Sequence, residues 1–442
     1  PAEAAREVHV RIAALPVALR LAALAWLKPE RDLAAELGVG GALRPDSAVA
    51  DASQSGRKAP PTINPLLHGL PYLLKDLFDL AGAPTKAGST FLDKVRGTPT
   101  RDARFVERLR ELGATCAGKT HLVEFASGLT GENPHYGDCP HPHHPDRLSG
   151  GSSSGSAALV AAGVVPLSVG TDTGGSVRVP ASWCGLYGFR LTPKDPLIAD
   201  AFPLAPTMDT AGWFTANASD MLTAWRALVS SSRRETAGNA SGLTTTATFR
   251  GCFLPLSALL ADPDPETALA CDTAAAKICA PGEAAVQTEL TESWRDAVDA
   301  YITIGMSEAH AVHRDWLAPY REHYDPVIWQ RFTDAGHFPP QQIIRARATL
   351  ESVRLSFQKY FATHDFLILP AVPRPAPRKA DCTPELRRNI LALTAPASLG
   401  GLPLLTVPVP LSSGLTAGLQ IVLPRAASPV VPWVLNNCSG AL

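Results

Sequence analysis

The sequence predicts an α/β protein. Strand-like and helix-like patterns alternate through its first half, which is the signature of a sheet with helices packed on it. Its 442 residues exceed what one small core can use, and large α/β units reach this size. The 40 prolines and 34 glycines point to many turns around that packed body. Hydrophobic residues make up 45% and charged residues 18%, an ordinary globular balance.

Residues 1–50 are rich in Ala and Leu and helical in pattern. The most apolar run, Ile12–Leu27, has 16 residues and carries Pro16 and Arg20, so it is too short and too interrupted to span a membrane. It is expected to be an amphipathic helix packed on the body or on a partner subunit. Residues 51–65 read as a polar, proline-punctuated loop. In PYLLKDLFD, apolar residues flank Lys75 on both sides. A buried strand holding one lysine is expected there, and an unpaired buried lysine is costly. The plain alternative is a surface ion pair of Lys75 with Asp76 or Asp79.

TRDARFVERLRELGAT (100–115) places Phe105, Leu109 and Leu112 on one helical face. CAGKTHLVEFASGLTG continues as strand and loop. Residues 137–149 form a proline-rich loop with Cys139, His141, His143 and His144. Their spacing matches no common zinc pattern, and no metal is expected. SAALVAAGVV reads as a short helix and PLSVGTD as a buried strand, joining two Ser/Gly turns at Gly150–Ser156 and Gly170–Ser176. Further on, Ala218–Val229 reads as a helix and 230–251 as a surface excursion. Long helices are expected within 293–362. A strand runs into a proline-rich loop at 365–379, and 395–425 reads as a loop and two strands.

The net charge of −1 gives no electrostatic reason to expect nucleic acid or an acidic membrane as partner. The eight cysteines form no CxxC pair and no disulfide framework, so reduced thiols and a cytoplasmic location are expected.

The chemistry concentrates in the two turns. Ser176 follows Thr173-Gly174-Gly175, where free backbone N–H groups can hold a developing oxyanion. A serine hydroxyl needs a base, and neither turn contains a histidine. Lys75 is the buried basic group available; desolvation favours its neutral form. Ser152 can relay the proton between them. Ordinary turn composition also explains both serines.

Taken together, GGSSSGSA and GTDTGGSVRVPASWCGLYGFRLT, with LLHGLPYLLKDLFDLAG upstream, resemble the amidase signature family. GATCAGKTHLVEFASG, GENPHYG, FPLAPTMDTAGWFTANASDM, DFLILPAVPRPAP and TAPASLGGLPLLTVPVP extend the resemblance over roughly residues 65–425. It implies one large α/β domain (51–442) with a mixed sheet covered by helices on both faces, preceded by a helical segment (1–50) and decorated by 230–390. It implies amide hydrolysis through an acyl-serine. Ser176 would be the nucleophile, Ser152 the serine after a cis peptide and Lys75 the base. The amides of Thr173, Gly174, Gly175 and Ser176 would form the oxyanion hole, and Ala126 and Ser127 would line the substrate channel. The expected partner is a small-molecule amide, with no cofactor, no nucleic acid and no membrane span; a homodimer stays open. The motifs are most similar to short indole-3-acetamide-type amidases. Ser154 departs from the commoner GGSSGGSA pattern and leaves the three catalytic positions intact.

Rival readings are weaker. Residues 151–155 also satisfy G-x-S-x-G, but the preceding PHHPDRLS is not the buried strand that elbow needs. No lysine directly follows either Ser/Gly turn, so neither reads as a phosphate-cradling loop. A glutamine-hydrolysing amidotransferase subunit and a non-catalytic scaffold on the same fold are the remaining alternatives. Trp183, Tyr187, Trp213 and Phe125 lie near the motifs and suit either an aryl substrate or core packing.

Overall fold

A computed structural model describes residues 1–42, 66–230 and 249–437. Among these residues, ten strands form a single mixed sheet: β1 (Leu24–Leu27), β2 (Pro71–Lys75), β3 (Thr115–Thr120), β4 (Leu167–Asp172), β5 (Tyr187–Arg190), β6 (Thr210–Thr215), β7 (Gly251–Phe253), β8 (Phe366–Pro370), β9 (Leu404–Pro410) and β10 (Thr416–Val422). Their order is β1-β3-β2-β4-β6-β5-β9-β10-β8-β7. β2 runs parallel to both β3 and β4, and β7 parallel to β8. The other pairings are antiparallel.

Alternation along the strands splits the core. Leu74, Val169, Trp213, Phe189 and Ile368 fill one face. On the other face, Leu73 and Phe214 pack under the N-terminal helices, while Leu367 and Leu404 pack under the helices of residues 284–361. Because both faces are covered, β2 and β8 read as continuous apolar runs rather than alternating ones.

Several elements differ from expectation. The run Ile12–Leu27 is not one helix. The helix Ala2–Ala14 stops at Leu15, which is extended (ψ 146°) because the following Pro16 disfavours helical geometry there. A second helix, Val17–Ala23, gives way to β1, which pairs antiparallel with β3. Open pairing positions along β3 outweigh the helical pattern of the segment. Helix Arg104–Glu111 is shorter than the 100–115 pattern, and Ala218–Trp225 continues into a π-helical turn, Arg226–Ser230. Helix Ser154–Ala161 begins inside the first expected turn. Its start is wedged against the N-terminal segment: a Cβ on Gly155 would lie 2.2 Å from the Ala23 carbonyl oxygen. Gly170–Asp172 belongs to β4, so the second turn is confined to residues 173–177. Residues 395–399, expected as loop, complete helix Pro384–Leu399, which runs through the buried Pro396. Tertiary packing there overrides the missing N–H. The 230–251 excursion falls almost wholly outside the described residues.

Lys75 and Asp172 end β2 and β4, two parallel neighbours. The turn after β4 carries Ser176. The site thus lies beyond the carboxyl ends of parallel strands, where α/β sheets leave a crevice between diverging connections.

Candidate active site

Lys75 is fully buried. Its Nζ lies 2.8 Å from Ser152 Oγ, 2.9 Å from Ser153 Oγ and 2.7 Å from Thr171 Oγ1. The surface-pair alternative fails, because Asp76 pairs with buried Lys119 at 2.6 Å and Asp79 with Arg96 at 3.1 Å. Burial lowers the Lys75 amine to about 7, against the pull of the more distant Asp172 and Asp209 carboxylates.

The Ser153 hydroxyl donates to the Thr171 carbonyl at 3.0 Å, so it accepts from Lys75. A neutral amine has two N–H groups and one lone pair. Giving the N–H groups to Ser153 and Thr171 leaves the lone pair for the Ser152 hydroxyl proton. Ser153 and Thr171 are functional neighbours that the sequence did not single out.

The Gly151–Ser152 peptide is cis, and Ser152 follows it fully buried. The two turns meet where the Ser153 N–H donates to the Ser176 carbonyl at 3.4 Å. Ser176 is 2% exposed, and its hydroxyl has no hydrogen-bond partner among the described residues. The Gly175 N–H, expected to face an oxyanion, instead donates to Asp172 Oδ1 at 2.9 Å. The amides of Thr173, Gly174 and Ser176 have no acceptor among the described residues.

A buried ionic frame holds this turn. Asp172 accepts from Arg178 Nη2 at 2.7 Å, Arg178 Nε at 3.0 Å, Arg190 Nη1 at 2.9 Å and the Val177 N–H at 3.0 Å. Burial would raise its carboxyl, but the two guanidinium groups and these hydrogen bonds win and hold it well below the usual carboxylate range. Arg178 is anchored in turn by the Thr394 carbonyl at 2.7 Å, Gln420 Oε1 at 2.9 Å and Ser398 Oγ at 2.7 Å.

Beside the cluster lies a recess of about 140 Å³ whose lining includes Ala126, Thr171, Thr173 and Asp209. Ala126, expected to line the substrate channel, lines this recess. Ser127 does not line the recess; its carbonyl accepts from Arg331 at 3.2 Å. Asp209 accepts from Thr173 Oγ1 at 2.6 Å and from the amides of Leu204 and Ala205 at 2.9 and 3.0 Å. Trp183, Trp213, Phe125 and Tyr187 are core residues, and none lines the recess. In the histidine loop, His141 Nε2 meets the Trp183 carbonyl, and Nδ1 accepts from the amides of His143 and His144. Both its ring nitrogens are thus engaged within the protein.

The sequence matches the family described as Amidase over residues 41–427. The chain belongs to the amidase signature family. It is 31% identical to the AtzE subunit of 1-carboxybiuret hydrolase from Pseudomonas sp. (strain ADP), covering 88% of this chain and 86% of that protein. It is also 31% identical to the indoleacetamide hydrolase of Pseudomonas syringae pv. syringae, covering 84% of each. A solved amidase crystal structure superposes with a TM-score of 0.74 at 30% identity, over 99% of this chain and 98% of that one. The activity of this amidase signature enzyme is hydrolysis of amide carbon–nitrogen bonds.

Within this amidase frame, Gly174 has a steric role. A Cβ there would lie 2.2 Å from the Tyr301 hydroxyl oxygen and 2.3 Å from the adjoining ring carbon. Gly174→Ala must therefore displace Tyr301 or the turn. A shift near 1 Å at a reacting centre costs on the order of 10²-fold in rate. We expect kcat/KM for a primary amide to fall by about that factor, with the melting temperature lowered only modestly. An unchanged kcat/KM would show that the turn tolerates the displacement.

Proposed function

We propose that the enzyme hydrolyses a small carboxylic amide through an ester on Ser176, with Lys75 as the base and Ser152 as proton relay. The single observation that carries this reading is the buried Lys75 amine, held by three hydroxyls and, among the described residues, by no carboxylate at hydrogen-bond distance. A lysine in that setting is available as a base near neutral pH.

Ser176 Oγ attacks the amide carbonyl carbon while its proton passes to Ser152 Oγ, whose own proton passes to the Lys75 lone pair. The unengaged amides of Thr173, Gly174 and Ser176 stabilise the negative oxygen of the tetrahedral intermediate. The C–N bond breaks as the proton returns along the same path to the departing nitrogen, releasing ammonia or an amine. Water then attacks the ester with the same proton assistance, freeing the acid and restoring the Ser176 hydroxyl. No step calls on a cofactor. Among the described residues, Cys116, Cys139, Cys184, Cys252, Cys271 and Cys382 are free thiols, which supports a reducing, cytoplasmic setting. Among those residues, no helix is long and apolar enough to cross a membrane.

The test is ammonia release from a panel of primary amides as a function of pH. Lys75 must be neutral to accept a proton, so kcat/KM should rise tenfold per pH unit below about 7 and level off above it. A profile that stays flat from about pH 5 to 9, with chemistry limiting, would remove Lys75 from the base role. Glutamine hydrolysis that appears only with an added protein partner would replace this reading by the amidotransferase one.

A further inference from the structure

We propose that the recess beside Lys75 holds the acyl group of the amide and selects one with a compact apolar body about the size of a benzene ring. This inference rests on the amide-hydrolysis reading and adds the substrate class to it.

Size is the first argument. The recess measures about 140 Å³, and an apolar protein cavity of about 150 Å³ holds one benzene molecule. Leu77, Ile198, Phe202, Pro203, Leu204 and Pro206 form the apolar part of its wall together with Ala126 and Ala201. A two-ring indole or a long alkyl chain exceeds that space.

The second argument is that the side-chain oxygens at its base already have partners within the protein. Thr171 Oγ1 is bonded to Lys75, and Thr173 Oγ1 to Asp209. The Asp209 carboxylate also accepts two backbone amides. A substrate hydroxyl or amino group placed there would compete with bonds already made, whereas carbon only displaces water. Lys194, the one basic residue of the lining, is exposed rather than buried in the interior.

The wall is also stiff. Phe202 packs against Phe125 at 5.7 Å, His313 at 5.6 Å and Trp316 at 6.0 Å between ring centroids. Close-packed rings do not open to admit a larger group without losing those contacts. The acyl half is the natural occupant. It stays attached to Ser176 through both half-reactions, whereas the nitrogen must leave so that water can take its place.

The experiment compares kcat/KM for acetamide, benzamide, cyclohexanecarboxamide, indole-3-acetamide, palmitamide and acetanilide. In the native enzyme, benzamide and cyclohexanecarboxamide should exceed acetamide, indole-3-acetamide and palmitamide by about 10–200-fold, the range an apolar pocket discriminates. Phe202→Ala, which enlarges the recess, should raise the ratio of indole-3-acetamide to benzamide at least tenfold. Ile198→Phe, which fills it, should lower the ratio of benzamide to acetamide by a similar factor. A native preference for indole-3-acetamide or palmitamide overturns the size assignment. A preference for acetanilide over benzamide overturns the acyl assignment. Ratios unmoved by both substitutions overturn the recess as the selecting site, while amide hydrolysis itself stands. Hydrolysis of none of the panel overturns the proposal together with the reading beneath it.

Discussion

Ser176→Ala is expected to lower the rate of amide hydrolysis by about 10⁴- to 10⁶-fold, the range seen when one member of a serine hydrolase triad is removed. The fold should survive. Ser176 Oγ makes no hydrogen bond among the described residues, and the turn is held by the Asp172 frame instead. Far-UV circular dichroism and the thermal midpoint should match the native protein. The informative control is Lys75→Ala. It removes the base yet leaves Ser152, Ser153 and Thr171 in place, so its loss should shrink as pH rises and hydroxide substitutes for the amine. The loss in Ser176→Ala should not depend on pH in that way. A Ser176→Ala enzyme that retains near-native turnover would move the nucleophile elsewhere.

The largest expected effect on stability is at Asp172. Asp172→Ala leaves the buried guanidinium groups of Arg178 and Arg190 without their carboxylate. Removing one partner of a buried ion pair costs about 3–5 kcal/mol, because an uncompensated charge remains inside. Urea unfolding should show an unfolding free energy lower by that amount, and activity should fall as the Ser176 turn loses its anchor. The pH dependence has a defined sign. The native Asp172 carboxyl titrates below its unfolded value, since burial is outweighed by Arg178 and Arg190. Its stabilisation is therefore fully present above about pH 4 and is lost as pH falls towards the native value. Asp172→Asn, which cannot titrate, should flatten the acid limb of the stability profile. Equal acid sensitivity in native and Asp172→Asn proteins would place the acid-labile group elsewhere.

How much of this was readable in the residues depends on where the information sits. Lys75 was legible because apolar neighbours on both sides declare a buried strand, and a buried amine demands an explanation. Ser152 and Ser176 were legible from their turns and from the motifs around them. Ser153 and Thr171 were not, because hydroxyls in a Ser/Gly/Thr-rich stretch look like turn chemistry until a lysine is brought to them from residue 75. The engagement of the Gly175 amide was equally hidden, since the Asp172 carboxylate could as well have faced Arg178 alone. Phe202, Asp209 and Tyr301 come from distant segments whose patterns say only that they are buried. The strands Leu24–Leu27 and Gly251–Phe253 are too short to announce themselves. Each exists because a neighbouring strand offers it hydrogen bonds, and pairing of that kind has no local signature.

The low basicity of Lys75 belongs to the assembled protein and not to the residue. In an unfolded chain, an ordinary lysine with a pKa near 10.4 leaves on the order of one amine in a few thousand uncharged at neutral pH. Once enclosed, with a value of about 7, roughly half are uncharged. Three hydroxyls from two later segments must also arrive before the amine has anything to act upon. On the proposed mechanism, reactivity is thereby coupled to completion of folding: an emerging or partly denatured polypeptide carries an inert ammonium, and the corrosive chemistry switches on only when the surrounding architecture is there to direct it.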